Sequence, residues 1–163
     1  MQPLYMQQNA SKATPYQKRK LVSDARAAIE ACAVSNARLA ARRLTQFLTD
    51  HMKSSDLSVA QFGLMAQIAA ASEDSLGALA ERTGLDPSTL SRNLQVLERE
   101  GLVEMAPDEI DSRRRAVWLT ESGARRLEAA LEQWRHAHNK LAALIDVGAV
   151  RRVAKATDVL AKG

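Results

Sequence analysis

The stretch LDPSTLSRNLQVLEREGLV, residues 85–103, limits the fold of this chain more than any other. It predicts an amphipathic helix of about fourteen residues that begins at an Asp-Pro pair and ends before Gly101. Its apolar side consists of three leucines at helical spacing: Leu90, Leu94 and Leu97. Its polar side contains Ser88, Arg92, Gln95 and Arg99. Because so short a helix is marginal alone, the leucines must pack against neighbouring elements.

The neighbouring segments predict what this helix packs against. In DLSVAQFGLMAQIAAAS, Ser58 and Gln61 form a capping box at the start of a helix. SLGALAERTGL predicts a short helix that ends at Gly84. The β-prone runs LVEM and AVWL flank a polar turn and predict a hairpin over 102–106 and 116–119. Helix, turn with glycine, helix and hairpin, in that order, are typical of a winged helix-turn-helix.

Helices are also predicted on both sides of this module. Residues 16–53 contain no Gly or Pro and predict a long helix with a break near Ser23-Asp24. After the hairpin we expect one helix from Thr120 and a last one over 147–161. The inward positions predicted for the last helix are Val150, Val153 and Leu160. The predicted fold is therefore mainly α with a small β-hairpin wing.

This organisation predicts four regions. They are a flexible N-terminal tail over 1–15, an N-terminal dimerisation helix region over 16–53, a winged helix-turn-helix DNA-binding domain over 54–120, and C-terminal dimerisation helices over 121–163. The apolar stripes of the flanking helices are more than one small winged domain can cover. They would be exposed patches in a monomer and therefore favour a homodimer. A two-fold dimer places two recognition helices roughly 34 Å apart, about one turn of DNA.

Composition narrows the function classes. The formal net charge of +4 and a pI of about 9.5 fit a nucleic acid or an anionic surface as partner. The N-terminus shows no signal-peptide pattern, and no apolar run approaches the roughly 20 residues of a membrane-spanning helix. We therefore expect a cytoplasmic protein without a membrane partner. No nucleophile–base, metal or phosphate-loop motif indicates an enzyme or a cofactor.

The polar side of the helix over residues 86–100 is predicted to face DNA. A protruding helix fits the major groove, where Arg pairs with guanine and Gln or Asn pairs with adenine. The predicted DNA-binding residues of the helix are Ser88, Thr89, Ser91, Arg92, Asn93, Gln95 and Arg99. Those of the wing, in IDSRRRAVW, are Asp111, Arg113, Arg114 and Arg115. A polar helix face or a run of three arginines is often only solvated surface, so a protein-interaction module without DNA binding stays an alternative.

The same residues resemble the multiple antibiotic resistance regulator (MarR) family of bacterial transcription factors. The matching motifs are L-S-x-x-Q-F, L-A-x-R-T-G-L, S-T-L-S-R-x-L-x-x-L-E-R-x-G-L-V, the wing D-S-R and L-T-x-x-G, which together span about 57–127. The resemblance implies an obligate homodimer on a pseudo-palindromic operator. It also implies Asp111 and Arg113 as a wing pair and residues 88–95 as groove-facing. We therefore expect a repressor that a small ligand relieves.

The resemblance raises two further possibilities. Many relatives bind a small, often aromatic and anionic ligand between the dimer helices and the winged domain. Here the residues that fit such a pocket are Arg43, Phe47, His51 and Met65, although a packing or surface role is the favoured interpretation of each. Peroxide-sensing relatives carry a reactive cysteine in the first helix. The spacing from Cys32 to Arg42 and Thr45 is about two residues too long. We interpret Cys32 as a buried or interface thiol and keep redox control as an alternative. His136 and His138 point to different helix faces, so no metal site is expected.

Overall fold

The computed structural model describes residues 15–71, 75–107 and 115–162. The predicted wing residues Asp111, Arg113 and Arg114 lie outside the described residues, as does the predicted tail except for Pro15. The chain separates between Arg43 and Leu44 into two compact units.

The first unit contains helix α1 (Pro15–Ala31) and most of helix α2 (Ala33–His51). The break between them lies at Cys32 and not at Ser23-Asp24, so the predicted position was wrong. At Cys32 the sulfur accepts hydrogen bonds from the backbone N–H and the hydroxyl of Ser35, at 3.5 and 3.3 Å. The Asn36 side chain donates to the Glu30 carbonyl oxygen at 2.9 Å. These bonds satisfy polar backbone groups at the end of α1 and the start of α2. Ser23 and Asp24 lie inside α1, where no cap is needed.

The second unit begins with the end of α2 and contains the predicted winged module. Its helices are α3 (Val59–Ala69), α4 (Leu76–Thr83), α5 (Pro87–Arg99), α6 (Glu121–Ala142) and α7 (Val147–Ala156). Strands β1 (Val103–Pro107) and β2 (Arg115–Leu119) pair antiparallel, with Val103 opposite Leu119. The hairpin is confirmed within one residue of the predicted bounds. Ser75, before α4, forms an isolated bridge with Ala116 and so ties the start of α4 to the wing.

The core of the second unit lies beneath α5. The least exposed large side chains are Met65, Leu79, Leu94, Leu97, Leu102 and Val103. Leu90 is 4% exposed, so the predicted leucine stripe of α5 is confirmed as its buried side. Burying one such side chain stabilises the fold by roughly 1.5–3 kcal/mol. The stripe therefore anchors α5 in the core that it shares with α3, α4 and β1.

The C-terminal segment differs from its prediction. Helix α7 ends at Ala156, and a 3-10 helix follows over Thr157–Lys162. Val150, Val153 and Leu160 are 42%, 59% and 77% exposed and do not point inward. Helical spacing of apolar residues indicates a face that favours burial, but it cannot say whether the same chain covers that face. Across the described residues, no helix is long and apolar enough to cross a bilayer.

Candidate nucleic-acid interface

The start of α5 is held by Asp86. Its Oδ1 accepts hydrogen bonds from the backbone N–H groups of Ser88 and Thr89, at 3.1 and 3.0 Å. The Ser88 hydroxyl also donates to the same oxygen at 2.6 Å. The bonds from Ser88 and Thr89 hold the pKa of Asp86 well below its usual range. Asp86 is therefore an ionised N-cap, as the Asp-Pro pair predicted.

This cap restricts what Ser88 can offer to DNA. The hydroxyl has a single proton, and that proton is used by Asp86. While the bond is kept, the Ser88 oxygen can only accept hydrogen bonds. Its matching partners on base edges are the amino groups of adenine and cytosine. Phosphate oxygens are acceptors, so Ser88 does not suit them in this arrangement.

The outward strip of α5 consists of exposed polar side chains. Its members are Ser88, Arg92, Gln95 and Arg99, all on the side opposite the buried leucines. Two of the four are arginines, which can donate two parallel bonds to guanine or bond to phosphate. A rigid helix with such a strip has the shape and chemistry of a major-groove reader.

The remaining residues predicted on α5 lie at its edges. Asn93 is half-buried and lines clefts between α5 and α3, beside Ala60 and Leu64. Thr89 is also half-buried. Ser91 is exposed on the other flank, beside Gly77 of α4. Periodicity alone placed these residues near the polar side. In the structure Thr89 and Asn93 are partly covered, whereas Ser91 is exposed.

A polar link holds the far end of α5. Gln61 completes the predicted capping box, because its side chain accepts from the Ser58 N–H at 2.9 Å while Ser58 accepts from the Gln61 N–H at 3.2 Å. The same Gln61 amide donates to the Glu100 carboxylate at 3.2 Å. This bond joins the start of α3 to the C-cap of α5. Sequence reasoning missed it, since the two residues are 39 positions apart.

The wing begins at the base of α5. Arg115, the one wing arginine within the described residues, is exposed at the start of β2 opposite Pro107. On the outer face of the hairpin, the Trp118 indole N–H donates to the Glu104 carboxylate at 3.1 Å. Because Glu104 and Trp118 lie opposite each other in the hairpin, this bond links β1 to β2. The sequence pattern did not predict this hydrogen bond.

A tight junction connects the end of α5, the wing and α6. The Thr120 hydroxyl donates to the Gly101 carbonyl oxygen at 2.7 Å and accepts from the Gly123 N–H at 2.9 Å. A Cβ atom on Gly123 would lie only 1.9 Å from the Leu102 carbonyl oxygen. Only glycine allows this approach, which explains the L-T-x-x-G motif physically. Gly101 itself has a φ of +68°, a left-handed conformation that favours glycine.

The structure describes all four residues predicted for a ligand pocket. Phe47 and His51 stack at 4.1 Å between ring centroids at the end of α2, and His51 Nδ1 donates to the Phe47 carbonyl oxygen. Met65 has no exposed surface and belongs to the core. Arg43 is exposed and lies in the first unit. The pocket therefore stays a prediction.

Cys32, the single cysteine of the chain, lies between α1 and α2. Cys32 is half-buried, and the hydrogen bonds from Ser35 lower the pKa of its thiol. Within the described part of the chain, no cluster of three His, Cys, Asp or Glu side chains could hold a metal ion.

Fold and site together define a winged helix-turn-helix transcriptional regulator. A sequence profile of the MarR family matches residues 55–114. An uncharacterised HTH-type transcriptional regulator of Mycobacterium bovis is 36% identical over 110 residues, which cover 68% of this chain and 73% of the relative. The chain belongs to the MarR family of HTH-type transcriptional regulators.

Solved structures show the same architecture. The transcriptional regulator MosR of Mycobacterium tuberculosis, crystallised with DNA, is 32% identical, with a TM-score of 0.71 over 80% of this chain and 96% of that chain. A mutant MarR of Escherichia coli complexed with operator DNA is 21% identical, with a TM-score of 0.68 over 82% and 96%. The second likeness concerns the fold alone.

Proposed function

We propose that this chain is a homodimeric repressor that binds a pseudo-palindromic operator in the bacterial cytoplasm. The outward strip of α5 carries this proposal, because its exposed side chains lie opposite three buried leucines. Arg92 and Gln95 read base edges, Ser88 accepts from an amino group, and Arg99 and the wing arginines bind phosphates. The structure of the relative MosR with DNA supports the same partner.

Exposed apolar side chains on the outer helices support a homodimer. They include Leu21, Ile29, Val34, Val150, Val153, Val159 and Leu160. So many exposed large apolar side chains are unusual on a monomer. A second copy covers such surfaces by two-fold symmetry and presents two winged modules to the two halves of an operator.

Retention of genomic fragments by the purified protein tests DNA binding. Sequencing the retained fragments should give a shared palindromic motif with half-sites about one helical turn apart. A gel shift with one such fragment should then show binding that weakens steeply as salt rises, because bound counterions are released. Retained fragments that share no motif would contradict sequence-specific recognition.

Relief by a small ligand forms the regulatory part of the proposal. The Phe47–His51 stack at the end of α2 offers an aromatic and a basic group for an aromatic anion. Titration of the operator complex with simple aromatic acids such as salicylate should release DNA. Phe47→Ala should abolish the release and leave binding without ligand intact. Equal release from wild type and from Phe47→Ala would mean that the ligand binds at another site.

A redox response through Cys32 is the second candidate. One observation favours it: the Ser35 hydrogen bonds lower the pKa of a half-buried thiol and so raise its thiolate fraction. Peroxide treatment should then weaken operator binding by wild-type protein but not by Cys32→Ser. Equal behaviour of the two proteins would exclude this response.

A further inference from the structure

A cleft between α4 and α5 differs in chemistry from the polar outward strip of α5. Six of the seven residues that line this α4–α5 cleft have no polar side chain: Leu76, Gly77, Ala80, Pro87, Leu90 and Leu94. The seventh, Ser91, supplies one hydroxyl. Leu90 and Leu94 are buried and belong to the core beneath α5. The α4–α5 cleft is therefore an apolar recess, with a volume of about 200 Å³.

This cleft adjoins the outward strip of α5. Gly77, Pro87 and Ser91 are its exposed members, so it opens to solvent between the first turn of α4 and the first turns of α5. Pro87 and Ser91 directly precede Ser88 and Arg92, which belong to the outward strip. A DNA base that contacts the strip at either residue therefore lies beside the opening of the cleft.

The clefts on the opposite flank of α5, beside α3, suit polar partners. They are lined in part by Gln61, Arg82, Thr83 and Asn93, which supply amide, guanidinium and hydroxyl groups. In the α4–α5 cleft, by contrast, a partner gains most by burying a hydrocarbon group. On the base edges of the major groove, the hydrocarbon group is the C5-methyl of thymine.

We propose that the α4–α5 cleft receives the C5-methyl group of one thymine in each operator half-site. The inference rests on the proposed DNA binding and adds an apolar reading site to the polar strip. Adenine, guanine and cytosine have no methyl group on that edge and direct hydrogen-bonding groups into the groove. Burying those groups, or a charged phosphate, in an apolar recess without partners is costly. The cleft therefore selects thymine both by attraction and by the cost of the alternatives.

Replacement of thymine by deoxyuridine in the operator tests the proposal, because uracil keeps the hydrogen-bonding groups of thymine and lacks the methyl. Each thymine is replaced in turn, symmetrically in both half-sites, and the affinity of the full chain is measured by gel shift. At one thymine position, wild type should lose affinity by roughly fourfold for each half-site, the cost of one methyl group that is no longer buried. At the other thymines the affinity should stay close to that for the unmodified operator.

Gly77→Leu fills the α4–α5 cleft from its rim. Nothing lies within 4 Å of a Cβ added at Gly77, so the backbone does not need to move. This variant should bind the thymine and the deoxyuridine operators alike. Gly63→Leu is the matched control, because Gly63 is also exposed and has the same free space but lies in α3, outside this cleft. It should keep the wild-type preference. Neither variant should melt below wild type, because leucine is favoured over glycine in a helix.

The outcomes separate this inference from the proposed function. Wild-type protein that binds no DNA would overturn both. Wild-type protein that binds the operator but is insensitive to deoxyuridine at every thymine would overturn this inference alone. A sensitive thymine whose effect persists unchanged in Gly77→Leu would overturn it too, because the methyl would then contact another surface. If Gly77→Leu no longer binds the operator, Gly77→Ala replaces it and should weaken the preference for thymine; an unchanged preference would contradict the inference.

Discussion

At the scale of single residues, we propose that Arg92 discriminates bases. It is exposed in the middle of the outward strip of α5. Arg92→Ala should weaken operator binding by about 1–3 kcal/mol and leave binding to random DNA nearly unchanged. Competition gel shifts at one fixed salt concentration would measure both affinities. Equal losses on the two DNAs would refute a base-reading role.

Arg113→Ala is the matched control for that experiment. We predict from the sequence that Arg113 contacts phosphates or the minor groove from the wing. Its removal should therefore weaken binding to all sequences alike and reduce the salt slope by about one. A loss confined to the operator would instead make Arg113 a reader.

Asp86 makes the stability at the start of α5 depend on pH. Its folded pKa lies below the unfolded value of about 3.9, because Ser88 and Thr89 donate to its ionised form. The stability that this charge contributes is therefore present above about pH 4 and is lost as the pH falls towards the folded value. Asp86→Asn keeps a cap acceptor but removes the charge. Urea unfolding should show wild type more stable at pH 7 and the difference shrinking from about pH 5 to pH 2. A difference that does not vary with pH would contradict this role.

At the scale of secondary-structure elements, the junction between α5, the wing and α6 depends on Gly123. Gly123→Ala would place its Cβ 1.9 Å from the Leu102 carbonyl oxygen, so backbone must move. We expect a loss of about 1–3 kcal/mol or more in the free energy of unfolding, measured by chemical denaturation. DNA binding should weaken too, because the same movement displaces the wing from α5.

Gly63→Ala is the control and should have the opposite sign. Gly63 lies within α3, and nothing lies within 4 Å of a Cβ added there. Alanine in a helix interior is favoured over glycine by roughly 0.5–1 kcal/mol. Destabilisation by both substitutions would mean that close approach is not what selects glycine at position 123.

At the scale of the whole molecule, the exposed apolar face of α7 and the 3-10 helix predicts a dimer interface. Val153→Glu combined with Leu160→Glu would place two charges on that face. Burying an unpaired charge is costly, so the variant should be monomeric by analytical ultracentrifugation and should lose most operator affinity. Ala70→Glu, the same kind of change at an exposed position after α3, should stay dimeric. If the double variant stayed dimeric, the dimer interface would have to lie on another surface.

Much of the fold could be predicted from the sequence because its signals are local. Caps such as Ser58 and Asp86 act within three residues, and the leucines of α5 show their spacing within two turns. The break at Cys32 was missed because it depends on the Ser35 and Asn36 side chains, which are not a standard breaking signal. The outward direction of α7 was missed because spacing does not reveal what covers a face.

Local chemistry was therefore enough to establish the winged helix-turn-helix, the buried and outward sides of its recognition helix, and the MarR resemblance. Contacts between distant residues required the folded chain. The packing of α3 against α5 half-buries Asn93, and the close approach of α6 to Leu102 requires a glycine at position 123. The bond from Gln61 to Glu100 also forms only when α3 and α5 meet. The physical reason is that periodicity and capping are satisfied within a few residues, whereas these contacts depend on how whole helices pack.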